Sequence, residues 1–240
     1  MQNIIDRRNI NPGAIYGVGK NYPEHAKEML RLEGATPDTL QTEEAEPIIF
    51  MKPPTALETE GIITMPQFQG RPLSVNMHYE AELVLLVGKT TDGCSIKEAP
   101  HCIGGYGAGL DMTLRDVQLT AKKAGNPWLK SKGFRKSALI SDFIPFNGDH
   151  FPDNLQISLE MNGSAVQQGS VSEMLHTPAM LIHYLSYLYG LRKGDLIFTG
   201  TPSGVGQVAP GDRLKVTLSQ PENGSRERGK ELTVLYAQVI

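Results

Sequence analysis

The stretch Asn76 to Lys89, "NMHYEAELVLLVGK", carries five consecutive aliphatic residues, Leu83 to Val87, and two glutamates, Glu80 and Glu82, lead directly into them. An apolar run of this length closed by a glycine predicts a strand buried in a core. Alternate side chains of a strand share a face, so Glu80 and Glu82 point one way while Ala81 and Leu83 point the other. Their α-carbons then lie about 7 Å apart. Two carboxylates that close are costly to bury unless a cation sits between them. A solvated strand edge is the competing reading of Glu-x-Glu taken by itself.

Outward from this strand the chain alternates short apolar runs with turn formers. "AIYGVG" (14–19), "PIIFMK" (47–52), "GIITMP" (61–66), "LIFTG" (196–200), "RLKVTL" (213–218) and "LTVLYAQVI" (232–240) read as strands bounded by Pro or Gly. "LQISLEMNG" and "AVQQGS" read as a hairpin turning at Asn162-Gly163. Helices are predicted over Asn21–Gly34, with Gly34 as the stop, over about Met112–Lys123, and over the segment with Met180, Leu181, Tyr184, Leu185 and Leu188 on one face, from Pro178 to Gly190. The segment Ala35–Glu46 has no apolar periodicity and reads as a surface loop. Many short strands with few helices and no regular strand-helix alternation predict an α+β fold, rich in β structure and of mixed sandwich or roll type, with a few packed helices. No repeat or shift of composition divides the chain, so residues 1–240 are expected to form a single domain, with 1–46 as a strand, helix and loop that could act as a lid.

With 40% hydrophobic and 20% charged residues the chain can fill an ordinary core, and a net charge of −3 lacks the basic footprint of a nucleic-acid binder. No apolar run approaches a membrane span and no secretion signal is recognisable, so cytoplasmic residence is the expectation. Cys94 and Cys102 have no His or Cys at metal-ligand spacing and read as reduced thiols. Asn162-Gly163-Ser164 and Asn223-Gly224-Ser225 match a glycosylation acceptor, but without a secretion signal Asn-Gly is read as a turn.

A third acid stands in "GGYGAGLDMTLRDVQ", where Asp111 follows a glycine-rich apolar segment. It is either a plain helix N-cap or the partner of Glu80 and Glu82. Three carboxylates without a cysteine, and with His78 as the nearby imidazole, suit a hard octahedral cation such as Mg²⁺ or Mn²⁺.

Taken in order, "YGVGKNYPEHAKE", "PIIFMKPPTAL", "HYEAELVLLVGK", "GGYGAGLDMTLRDVQ", "NPWLKSKGF" and "GDLIFTGTPSGVG" resemble the fumarylacetoacetate hydrolase family, in particular its small single-domain members such as acylpyruvate hydrolases and oxaloacetate decarboxylases. The resemblance runs from about Ala14 to Val216 and implies that Glu80, Glu82 and Asp111 are the metal ligands. It also gives roles to residues that are unremarkable alone. His25 and Glu28, three apart on a predicted helix, resemble the pair that activates water. Lys132 of "SKGF" and Gln118 of "RDVQ" resemble polar groups that stabilise oxyanion charge. Lys20, Arg115 and the Thr201 hydroxyl of "TGTPSGVG" are candidates for binding a substrate carboxylate. Without the resemblance, His25/Glu28 could be an exposed helix face, and Lys130, Lys132, Arg135 and Lys136 a solvated basic cluster.

The resemblance implies hydrolysis of a C–C bond in an acylpyruvate, or another 2-oxo or 2,4-dioxo acid, in a homodimer. Oxaloacetate decarboxylase or tautomerase activity and isomerisation of an unsaturated oxo-diacid are rivals that use the same enolate chemistry. A metal-dependent carboxylate-binding protein is the non-enzyme alternative. Two departures from the family pattern bear on substrate access or oligomer contacts: the Ala35–Glu46 loop is longer than in compact relatives, and the end of the chain forms an extended charged hairpin; Lys20, where several relatives have arginine, and "RKSALIS" after Lys132 leave substrate choice open.

Overall fold

The aliphatic run forms the strand Ala81–Val87, buried along its whole length. Both of its faces are covered, which is why the sequence does not alternate there. Leu83, Leu85 and Val87 enter the larger apolar cluster, with Leu110, Ile157 and Val216. Val84 and Leu86 enter a second cluster on the opposite side, with Ile15, Ile140, Leu196 and Phe198. The computed structural model describes residues 4–33, 45–221 and 229–240. The loop expected over Ala35–Glu46 lies outside these except for its last two residues, and so do the stop at Gly34 and the turn at Asn223-Gly224.

The main sheet places Ala81–Val87 near its centre. Its order is Ile48–Lys52, Ile15–Gly19, Leu196–Phe198, Ala81–Val87, Ile103–Asp111, Ala138–Ile140 and Leu57–Glu58, with Ile144–Pro145 also on Ile103–Asp111. Leu196–Phe198 runs parallel to Ile15–Gly19 and antiparallel to Ala81–Val87. A second sheet has the order Ser164–Ser170, Gln156–Met161, Arg213–Gln220, Lys230–Val239 and Ile62–Ile63. The two arms of the charged C-terminal hairpin, Arg213–Gln220 and Lys230–Val239, pair antiparallel within it. This strand-rich mixed architecture is the α+β arrangement expected from the sequence.

Local chemistry explains the joints. Asn162 (φ 53°) and Gly163 (φ 84°) are both left-handed, as a tight two-residue hairpin turn requires, so the predicted hairpin forms. The helix Pro178–Tyr189 starts under Thr177, whose hydroxyl accepts from the Met180 N–H, and ends at Gly190 with φ 67°. The first helix, Pro23–Glu33, buries Ala26, Met29 and Leu30. Gly17 is required by close approach: a Cβ there would stand 2.2 Å from the ring of Phe50. The helix expected from Met112 begins at Arg115, because Thr113-Leu114 is drawn into strand pairing with Met77-His78.

Candidate active site and metal centre

Two segments of the chain change sheets at one corner, and the acids sit there. Met77–Tyr79 belongs to a small three-stranded sheet and Ala81–Val87 to the main one, which leaves Glu80 at the junction. In the same way Ile103–Asp111 lies in the main sheet and Thr113-Leu114 in the small one. The Asp111 N–H donates to the Glu80 carbonyl at 2.9 Å, which ties the two corners together. Asp111 therefore ends a strand; the N-cap reading is set aside, since the following helix is capped at Leu114 with no side-chain bond.

The carboxylate oxygens of Glu80, Glu82 and Asp111 gather within 4.8 Å of one another, and all three residues are buried. Against these three acids stand three buried basic side chains, Lys52, Arg115 and Lys132. Lys132 Nζ lies 2.5 Å from Glu80 Oε2, 2.6 Å from Asp111 Oδ2 and 2.7 Å from Thr113 Oγ1. Arg115 donates to Glu80 Oε1 through Nη2. Burial works against the Glu80 charge, yet Lys132 and Arg115 outweigh it and hold that carboxyl well below its ordinary range. Glu82 goes the opposite way: burial, then the charges of Asp111 and Glu80, push it well above the ordinary range, although the Gly200 N–H donates to its Oε2 at 2.7 Å. Lys132 is also opposed by burial, and Asp111 and Glu80 raise it nonetheless. An all-oxygen set of converging buried carboxylates fits a hard divalent cation, and soft thiolate-seeking metals have no ligand here.

Glu80 and Glu82 open onto a cleft lined also by Lys20, His25, Arg115, Gln118, Lys132 and Thr201, together with Phe50 and Trp128, while Asp111 is fully buried behind them. The structure thus brings nearly the whole predicted set to one place. His25 is buried, and its Nδ1 lies 3.1 Å from Glu28 Oε2, so the pair is a contact and not an exposed helix face. Burial would raise Glu28, but its bonds to His25 and the Gly204 N–H dominate and lower it. Gln118 accepts from Arg115 Nη1 at 2.6 Å through Oε1. Lys20 takes a left-handed backbone, φ 57°, a strained conformation for a lysine and one that recurs at functional positions. Lys132 is buried with its ammonium 4.8 Å from the centroid of the Phe50 ring, which separates it from the exposed Lys130 and Arg135.

Two expected contacts are not available as stated. The Thr201 hydroxyl donates to the Ala81 carbonyl at 2.8 Å and accepts from Gln167 Nε2 at 2.9 Å, so it has no proton left for a substrate carboxylate. Arg115 spends its N–H groups on Glu80 and Gln118, with Nη1 also 3.5 Å from Met29 Sδ. It reaches the cleft as a charge more than as a free fork.

Sequence reasoning missed three residues. Lys52 is 2.6 Å from Asp111 Oδ1. Gln167 holds the Ala81 N–H at 3.0 Å and the Pro202 carbonyl at 2.9 Å, fastening the corner to the Thr199–Gly206 loop. Asn21 holds the Thr199 carbonyl at 2.8 Å and the His176 backbone on both sides. Only Lys52 left a signal, since Ile48, Phe50 and Lys52 alternate onto one face and a lysine ending an apolar strand needs a partner.

His78 stays outside the acid cluster. Its Nε2 meets Asn76 Oδ1 at 2.9 Å and its Nδ1 receives Arg115 Nε at 3.5 Å, an arrangement for a neutral ring. Burial and the Arg115 charge lower it to about 4. Folding thus weakens proton binding, so protons favour the unfolded chain: the penalty is absent above the ordinary value of 6.5 and grows as pH falls towards 4. Its full size is about 3 kcal/mol. Urea unfolding in chelator should show this loss between those pH values and a shallower one in His78→Gln; parallel curves would refute the assignment.

Comparison with known proteins gives a consistent picture. The model of the fumarylacetoacetate (FAA) hydrolase C-terminal family matches residues 14–239. The chain is 42% identical over 205 residues to oxaloacetate tautomerase YcgM of Escherichia coli (strain K12), covering 84% of this chain and 86% of that one. It is 38% identical over 202 residues to the mitochondrial oxaloacetate tautomerase FAHD1 of Bos taurus, covering 84% and 85%. Among solved structures, fumarylpyruvate hydrolase from Pseudomonas aeruginosa in complex with Mn²⁺ and pyruvate superposes with a TM-score of 0.80 at 31% identity, covering 100% of this chain and 96% of that one.

Proposed function

Because the chain belongs to the fumarylacetoacetate hydrolase family, we propose that it interconverts the keto and enol forms of oxaloacetate or a closely related 2-oxo diacid. The observation that carries this reading is that one cleft is lined by Glu80 and Glu82 of the buried acid trio, by Lys132, and by His25 with Glu28 bonded behind its ring. Glu80, Glu82 and Asp111 would hold Mg²⁺ or Mn²⁺, which when bound supplies Lewis-acid polarisation of the 2-oxo group.

The remaining work falls to the chain. His25, oriented by Glu28, takes the proton from C3 as the C2–C3 double bond forms and passes it to the 2-oxygen, and for ketonisation carries it the other way, the task of a general base whose ring is held by a carboxylate. Lys132 and Arg115 place positive charge beside the oxygen that becomes anionic. The Gln118 amide nitrogen, with no hydrogen bond to another described residue, adds a neutral donor. Lys20 presents a point charge at the cleft wall for a substrate carboxylate.

Hydrolysis of an acylpyruvate, the activity that the sequence motifs imply, is the second reading. It is favoured by the same His25–Glu28 contact, which suits deprotonation of a water for attack on the C4 carbonyl, and by the likeness to a fumarylpyruvate hydrolase. It stands second because the relatives at 42% and 38% identity are oxaloacetate tautomerases.

One assay separates the two. Decay of the enol absorbance of oxaloacetate and pyruvate release from acetylpyruvate are followed in parallel, with Mn²⁺ and after chelation. Metal-dependent enol decay without acetylpyruvate cleavage is expected. Cleavage alone would exchange the two readings, and inertness towards both would sink them together.

A further inference from the structure

Lys52 is a buried lysine that the proposed chemistry does not use: it is 1% exposed, ends the strand Ile48–Lys52, and is absent from the cleft lining. Its Nζ lies 2.6 Å from Asp111 Oδ1 and donates to Ser137 Oγ at 2.9 Å and to the Lys132 carbonyl. It also donates to the Ser137 carbonyl at 3.1 Å, so the ammonium is held between the Asp111 carboxylate and the main chain of Lys132 and Ser137. Lys132 holds the other oxygen of the same carboxylate, Asp111 Oδ2, at 2.6 Å. One fully buried carboxylate is therefore flanked by two ammonium groups, one buried away from the cleft and one lining it.

Withdrawing Lys132 towards a substrate would strand Asp111 as an unpaired buried charge if it were the sole partner, and unpaired buried charges are strongly disfavoured. Given the role of Lys132 above, we propose that Lys52 is a positioning residue: it is the permanent counter-ion of Asp111 Oδ1 and the anchor of the Lys132 main chain, and so lets the Lys132 ammonium move from Oδ2 to the substrate. Ser137 completes the clamp, since its hydroxyl accepts from Lys52 and donates to the Lys132 carbonyl at 2.7 Å.

The test labels the whole protein with ¹⁵N-lysine, so that sealed ammonium groups, which exchange slowly with water, give resolved signals assigned through Lys52→Met and Lys132→Met. Adding Mg²⁺ with oxalate should shift the Lys132 signal or open it to exchange, while the Lys52 signal stays protected. If both signals move together, or if Lys52 exchanges like a surface lysine from the start, the proposal is overturned. Kinetics supply the second arm. Lys52→Met should lower turnover about 10- to 100-fold with KM little changed, but by less than about threefold in a Lys132→Met background. Equal losses in both backgrounds would mean a structural role only. Should Lys52→Met fail to fold, Ser137→Ala, which loosens the clamp and keeps the charge, is run through the same cycle and should give a smaller loss with the same dependence on Lys132. Full turnover in Lys132→Met would overturn the catalytic reading instead, and the exchange measurement then decides the role of Lys52 by itself.

Discussion

Replacing His25 with alanine is expected to slow enol–keto conversion of oxaloacetate by about 10²- to 10⁴-fold while leaving Mn²⁺ affinity within about threefold of the parent. The split follows from the geometry. The His25 ring is held by Glu28 and makes no hydrogen bond to Glu80, Glu82 or Asp111. Its loss removes the proton carrier and leaves the acid trio in place. Glu28→Gln should fall between the parent and His25→Ala, because an amide can still meet Nδ1 but brings no charge to strengthen the ring as a base. Initial rates and a Mn²⁺ titration on the same preparations check both statements. A His25→Ala enzyme that turns over within a few-fold of the parent would remove the imidazole from the proposed chemistry.

Glu80 and Glu82, two residues apart and both buried, should behave in opposite ways when the metal-free protein is unfolded. Glu80 is the counter-charge of Arg115 and Lys132. Glu80→Ala leaves two buried cations short of a partner and should cost about 3–5 kcal/mol, the range for breaking a buried ion pair from one side. Glu82 has no cation bonded to it among the described residues, and burial beside Asp111 and Glu80 raises its carboxyl well above the ordinary range. A group raised in this way costs stability when it is ionised, so the neutral Glu82→Gln should unfold at the same urea concentration as the parent or a higher one. Both variants should lose Mn²⁺ binding. Urea unfolding in chelator with a parallel Mn²⁺ titration reads all four outcomes. A Glu82→Gln protein less stable than Glu80→Ala would contradict this account of the acid cluster.

What could be read in advance was what neighbours in sequence decide. The run Leu83–Val87 gave a strand, Asn162-Gly163 gave a hairpin, and Thr177, Pro178 and Gly190 framed a helix, because period, capping and turn chemistry act over a few residues. The acid trio was legible only through an ordered set of motifs, since Glu-x-Glu alone is equally a solvated edge. Long-range pairing was not legible. Nothing near Thr113 announces that it will pair with His78 and push the helix start to Arg115. Nor does "GTPS" reveal that the Thr201 hydroxyl is consumed by Ala81 and Gln167, residues from two other parts of the chain. Lys52 escaped notice for the same reason: its partners Asp111, Lys132 and Ser137 are brought to it by the sheet and lie far along the sequence.

The order of the main sheet has a consequence for how the protein is made. Leu196–Phe198 lies between Ile15–Gly19 and Ala81–Val87, so both neighbours leave the ribosome before the strand that joins them. From Val87 to Leu196 the nascent chain must grow by 109 residues, which takes roughly 5–20 seconds at ordinary rates of translation. Through that interval Ala81–Val87 has an open edge and apolar side chains on both faces, the pattern most prone to pair with a stray strand. Glu80 and Glu82 sit at the start of that edge, and Gly200, whose N–H later donates to Glu82, has not yet been synthesised. While solvated and charged, the two carboxylates guard the half-built sheet against its own kind. The residues proposed to hold the cation at work would thus already have served the chain as gatekeepers against aggregation at birth.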